Sequence, residues 1–133
     1  MTAFVDTSAL YALLDRDQDE HGDAAKAWRE LVGESVPLLT TNYVLLETTA
    51  LVQRRLGMKA LRAFHDELVP VLEIQWVEEE LHRTALAALL AGERRGVSLV
   101  DHTSFEVMRR GQIRRAFALD RDFARQGFDM LPG

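Results

Sequence analysis

Four acids in this chain stand where a charge is costly. Asp6 ends the apolar run Ala3-Phe4-Val5, and Asp120 ends a second such run, Ala116-Phe117-Ala118-Leu119, with Asp122 two residues beyond. Glu47 lies on the apolar stripe of a helical pattern, with Val44, Thr48, Leu51 and Val52, away from the polar side that holds Gln53 and Arg54. Asp101 follows Ser98-Leu99-Val100 at the head of another helical pattern. Brought together, such groups are self-destabilising. Two carboxylates about 4 Å apart repel by roughly 4 kcal/mol at an effective dielectric near 20. Several such pairs rival the net stability of a domain, so protons or cations must neutralise them. Oxygen ligands without any cysteine favour a hard divalent cation, Mg²⁺ or Mn²⁺. A cation held by carboxylates and facing arginines suits phosphodiester hydrolysis, with no covalent attachment to the protein.

Three of the acids also have a plain structural reading. Asp6 can cap the helix that Thr7-Ser8 opens, and Asp101 can close a capping box with Ser98. Glu47 can reach solvent from the edge of its stripe.

The elements that must position these groups alternate between strand and helix. Residues 3–5 suit a buried strand, and Leu10, Leu13 and Leu14 fall at helical spacing. Ala24, Ala27, Trp28 and Leu31 form a second helical stripe that stops at Gly33. Residues 36–40 read as a strand with Pro37 near its start. Thr41 or Asn42 caps a helix running to Gly57. Another helix spans 58–68 and is closed by Pro70. Residues 71–77 alternate as a third strand. The spacing predicts a long helix over 78–95 with Gly96 as terminator, and a helix from Ser98 to Gly111. Residues 116–119 form a strand, 122–126 a helical turn, and 128–131 a last edge strand. Uninterrupted apolar runs mark central strands, so the strands that end at Asp6 and Asp120 are expected to be neighbours. The pattern implies a largely parallel, helix-covered sheet. One domain over 1–133 is the natural count for this length.

Composition narrows the class. Hydrophobic residues make up 47% and charged residues 28%, which fits a folded globular protein. No apolar run approaches the roughly 20 residues of a membrane span. The N-terminus lacks the pattern of a cleaved signal peptide, and the absence of cysteine is compatible with the cytoplasm. The net charge is −5, yet between Glu93 and Arg125 eight arginines face five acids. Those arginines read either as phosphate ligands or as a solvated face.

Four stretches resemble the PIN-domain ribonucleases, and within them the toxins of VapBC-type toxin–antitoxin pairs. They are Phe4-Val5-Asp6-Thr7-Ser8-Ala9-Leu10, Asn42-Tyr43-Val44-Leu45-Leu46-Glu47, Ser98-Leu99-Val100-Asp101 and Phe117-Ala118-Leu119-Asp120-Arg121-Asp122-Phe123. The resemblance implies a three-layer α/β/α PIN-like domain with a central, mainly parallel sheet, and Mg²⁺- or Mn²⁺-dependent endoribonuclease activity. It carries catalytic and metal-holding roles onto Asp6, Glu47, Asp101 and Asp120, with Asp122 as an auxiliary metal ligand and Ser8 at the family's hydroxyl position. It implies RNA, a cognate antitoxin and a second copy of the chain as partners. Ala118 departs from the threonine or serine that many members carry there.

Rival readings fit less well. A phosphorelay receiver needs an acidic pair after the first strand and a lysine after a late one, and neither Lys26 nor Lys59 is so placed. A haloacid-dehalogenase-type phosphatase wants an acid at Ser8. His21, His65, His82 and His102 lack metal-ligand spacing. The alternative from another class is a PIN-like fold that binds RNA or protein without cutting.

Overall fold

The computed structural model describes residues 1–133. At its centre is β1 (Ala3–Val5), whose three side chains are all fully buried. Successive strand residues point to opposite faces, so a strand buried throughout has both faces covered. On one side β1 pairs with β2 (Leu38–Thr41), with Ala3 opposite Leu38. On the other it pairs with β4 (Arg115–Phe117), with Val5 opposite Phe117. The edges are β3 (Glu73–Gln75) and β5 (Asp129–Leu131), giving the order β3-β2-β1-β4-β5 with every pair parallel. Parallel neighbours require crossover connections, and helices supply them. These are α1 (Thr7–Leu14), α2 (His21–Gly33), α3 (Asn42–Arg55), α4 (Met58–Ala63), α5 (Glu79–Gly92), α6 (Leu99–Arg110) and the short α7 (Asp122–Arg125). No helix is long and apolar enough to cross a membrane.

Aromatic packing ties the late elements to the central strand. Phe123 lies 5.0 Å from Phe105, edge to face, and 6.5 Å from Phe4, measured between ring centroids. All three rings are fully buried. This anchors the segment carrying Asp120 and Asp122 against β1 and α6.

The structure departs from the sequence expectations at element ends. The helix expected over 58–68 stops at Ala63 and continues as one wide turn, Phe64–Leu68, then a tight turn, Val69–Val71. Pro70 lies in the first positions of that tight turn, where its missing N–H is harmless. The strand expected over 71–77 therefore shrinks to Glu73–Gln75, and Trp76 is left 66% exposed. The long helix ends at Gly92 instead of Arg95, because Glu93 adopts the left-handed conformation at φ 53° that ends a helix. Arg94 and Arg95 are thereby released from the helix. Between the two capping candidates, Thr41 accepts the N–H of Val44 at 3.2 Å and caps α3. Asn42 instead accepts the N–H of Val77 at 2.7 Å.

Candidate active site

Asp6 is the hinge of the site. Its backbone N–H donates to the carbonyl of Phe117 at 3.0 Å, which pins the mouth of β1 to that of β4. Its side chain caps α1 through Oδ2, which accepts the Ser8 N–H at 3.1 Å and the Ser8 hydroxyl at 2.7 Å. Ser8 Oγ in turn accepts the N–H of Leu119 at 2.8 Å and of Asp120 at 3.3 Å. One hydroxyl thus draws the chain out of β4 and sets Asp120 beside Asp6. That is why the strand expected over 116–119 ends at Phe117.

Glu47 is half-buried on α3, between Val44, Thr48 and Val52, all fully buried. Thr48 Oγ1 lies 2.9 Å from Thr7 Oγ1, a buried hydroxyl pair that ties α3 to α1. Asp101 heads α6 in a capping box: its Oδ2 accepts the Ser98 N–H at 2.9 Å, while Ser98 Oγ accepts the Asp101 N–H at 3.1 Å. The structural and functional readings of Asp6 and Asp101 are therefore compatible, since each uses one oxygen as a cap and keeps the other.

Asp6, Glu47, Asp101 and Asp120 line one cleft of about 490 Å³, with Thr7, Ser8, Ala50, Leu51, Arg54 and Ser98. Asp122 joins from the rear: one carboxylate oxygen each from Asp101, Asp120 and Asp122 lies within 4.8 Å of the others. The Asp122 N–H donates to Asp120 Oδ1 at 2.9 Å. Asp122 Oδ1 is clamped by Arg125 at 2.8 Å and faces Arg94 at 3.7 Å. All five acids of the sequence reading are thus near one another at the carboxyl end of the sheet. An apolar depression of about 380 Å³, lined by Leu45, Met58, Phe64 and Val69 among others, carries only one acid, Asp66, so it offers no comparable chemistry.

The electrostatics are strained. Asp6 is pushed from 3.8 up to about 7, chiefly by burial and further by Asp101 and Glu47, against the lowering effect of the Ser8 hydrogen bonds. Asp101 is pushed up to about 6, again chiefly by burial, with Asp120 and Glu47 adding to it. Asp6 Oδ1 is buried and has no hydrogen-bond partner. A buried carboxylate oxygen without a partner is a costly vacancy for a charge, and a cation is its natural complement. The donor set is all oxygen. The residues therefore fit a hard divalent ion.

The family model of the PIN domain matches residues 3–129. This chain belongs to the PIN-domain family. Over 126 residues it is 37% identical to the 23S rRNA-specific endonuclease VapC20 of Mycobacterium tuberculosis, an alignment covering 94% of each chain. The crystal structure of that VapC20, described as a Sarcin-Ricin loop cleaving toxin, superposes with a TM-score of 0.83 and covers 96% of each chain. PAE2754 from Pyrobaculum aerophilum is 18% identical with a TM-score of 0.64, covers 99% of this chain and 90% of its own, and supports the fold alone. The three-layer PIN-like architecture expected from the sequence is the one observed.

Several features of this PIN domain were hidden in the sequence. Four of the eight arginines in the 94–125 stretch, Arg94, Arg109, Arg110 and Arg125, are engaged within the protein. Arg110 forms a two-pronged pair with Glu80 at 2.7 and 2.8 Å. Arg109 binds Gln126 and lies over the Phe128 ring, and Arg125 holds Asp122. These three meet protein groups, while Arg95, Arg114 and Arg121 enter none of the ion pairs. Three of the four histidines are likewise occupied or exposed: His21 contacts the Ala12 carbonyl, His82 pairs with the Tyr43 hydroxyl, and His65 lies on the surface beside Asp66; His102 is half-buried against Phe105.

Proposed function

We propose that this protein is a divalent-cation-dependent endoribonuclease, and that it is the toxin of a toxin–antitoxin pair. In this reading residues 1–133 act as one domain, and Asp6, Glu47, Asp101 and Asp120 are the catalytic, metal-holding set. Asp122 serves as auxiliary ligand. The observation that carries the reading is the unpartnered oxygen of Asp6 in a cleft lined by three further carboxylates. Kinship with a 23S rRNA-specific endonuclease supports RNA as substrate and ribosomal RNA as the first candidate. The same kinship supports a cytoplasmic toxin with a cognate antitoxin, and the family analogy extends to a homodimer.

A bound Mg²⁺ or Mn²⁺ would supply Lewis-acid activation of water and neutralisation of phosphate charge. The chain's own residues do the rest. Ser8 orients Asp6 by fixing Oδ2, which leaves the buried Oδ1 without a protein partner and open to a ligand. Ser98 does the same for Asp101, whose free oxygen is Oδ1. The Asp122 N–H holds Asp120 Oδ1 and leaves Oδ2 for a ligand. Arg94 and Arg125 set positive charge against Asp122, which lies beside two other acids.

Incubation of purified protein with ribosomal RNA tests this reading. Defined fragments are expected with Mn²⁺ or Mg²⁺, none with EDTA, and none from Glu47→Gln with the metal restored. Cleavage that persists in EDTA would reject the metal-dependent assignment. Intact RNA under all conditions, with binding retained, would leave a non-cutting PIN-like binder.

A further inference from the structure

We infer that Arg54 is a substrate-binding residue whose guanidinium holds a phosphate of the RNA strand beside the one that is cut. The inference rests on the nuclease reading above.

One face of α3 presents Glu47, Ala50, Leu51 and Arg54 to the cleft, at helix positions i, i+3, i+4 and i+7. Seven residues at the helical rise separate Glu47 from Arg54 by about 10 Å along the axis. Arg54 therefore flanks the acids at one end of the trough and does not sit among them. Between them is the exposed Ala50, whose methyl group leaves that wall low.

Arg54 is the one basic residue lining a cleft with four carboxylates, yet none of the chain's ion pairs engages it. Of the other arginines, Arg94 and Arg125 are held by Asp122, Arg110 by Glu80 and Glu106, and Arg109 by Gln126; Arg95 and Arg121 are exposed and enter no ion pair, but neither lines the cleft. Its neighbour Arg55 is also accounted for, with its guanidinium 5.8 Å from the centroid of Tyr11. A structural role for Arg54 is available, since both arginines lie in the last turn of α3 and complement the helix dipole. That role needs only one of them, and Arg55 supplies it.

The charge pattern explains the need. An acidic cleft repels a polyanion, and a cation among the acids offsets that repulsion only locally. The next phosphate along the strand then faces carboxylates without compensation. A free guanidinium fork at the cleft's end matches that phosphate in charge and in two-pronged geometry.

The test compares wild type with Arg54→Ala and Arg54→Lys. In Mn²⁺, Arg54→Ala is expected to raise KM for RNA roughly 10–100-fold with kcat within about threefold, the pattern of lost binding shared by ground and transition states. In EDTA, where cleavage is silenced, fluorescence anisotropy with a single-stranded RNA oligonucleotide reads binding directly. There the slope of log affinity against log salt should shrink by about 0.7, the value for one lost phosphate contact. Arg54→Lys should keep the slope and recover part of the affinity. The thermal shift produced by Mn²⁺ should be the same in all three proteins. An unchanged KM and salt slope in Arg54→Ala would overturn the proposal, as would a lost Mn²⁺ response, which would make Arg54 a support for the acids. If wild type binds RNA without cutting it, the EDTA experiment still decides the role of Arg54, while the nuclease reading fails separately.

Discussion

Asp6→Asn is expected to reduce RNA cleavage by on the order of 10³-fold or more, while making the metal-free protein more stable at pH 8. The two effects have one cause. Asp6 rises from 3.8 to about 7 on folding, so keeping it ionised in the absence of a cation costs about 4 kcal/mol. Asparagine removes that charge and keeps the shape. It remains a good helix cap, and its oxygen can accept from Ser8 as Asp6 Oδ2 does. Its amide group then occupies the position of the unpartnered Oδ1, which costs about 1–3 kcal/mol for an unmade hydrogen bond. The charge term is the larger, so a net gain of about 1–3 kcal/mol remains. Urea denaturation in EDTA at pH 8 measures it, and a gel assay measures the cleavage. A variant that still cuts, or that is destabilised in EDTA, contradicts this account of the residue.

The second large effect is a stabilisation by Mn²⁺ that grows with pH. Asp6 and Asp101 both have folded-state values raised above their unfolded ones, to about 7 and about 6. Their contribution to stability is therefore fully present below about pH 4 and is lost as pH rises through 6 and 7. The metal-free protein should lose stability across that interval. Glu80 runs the other way, since Arg110 and Thr84 hold it down to about 2, but its contribution is lost only in acid below its ordinary value and leaves the neutral window clear. A divalent ion binds the ionised carboxylates, so it competes with protons and restores what the buried charges remove. At a hundred times its dissociation constant Mn²⁺ stabilises by about 2.7 kcal/mol, or roughly 8–15 °C in Tm for a chain of this size. At pH 5.5 the same concentration should give a much smaller shift. Thermal melts at the two pH values, with and without Mn²⁺, show whether the difference has this sign. Equal shifts at both would detach the ion from Asp6 and Asp101.

Much of the site was legible because its residues violate local rules. Ala3-Phe4-Val5 and Ala116-Phe117-Ala118 are too apolar for anything but the middle of a covered sheet, so acids that end them had to meet at its mouth. Glu47 stood out against Val44, Thr48 and Val52, which are buried as their spacing requires. Ser98 and Asp101 carried the capping box in their spacing, and the box is there. What escaped depends on contacts distant in sequence. The clamp of Arg94 and Arg125 on Asp122 needs α5 to end early, and it does so at Glu93, an acid in a left-handed turn that no local propensity favours. The partner of Arg110 was out of sight for a similar reason: Glu80 lies 30 residues upstream on a neighbouring helix. The alternation of 71–77 did not show that β3 would be only Glu73–Gln75, after a wide turn that buries Phe64. Arg54 was visible as a polar residue on α3, but only the fold shows that it shares a cleft with the acids.

The central claim concerns the ion more than any single side chain, and anomalous scattering from a crystal soaked in Mn²⁺ addresses it most directly. The account predicts a manganese peak in the cleft, coordinated by Asp6 Oδ1 together with oxygens from Asp101 and Asp120 and within reach of Glu47. Manganese bound only outside this cleft, or a cleft that stays empty at millimolar Mn²⁺ and pH 8, would contradict it.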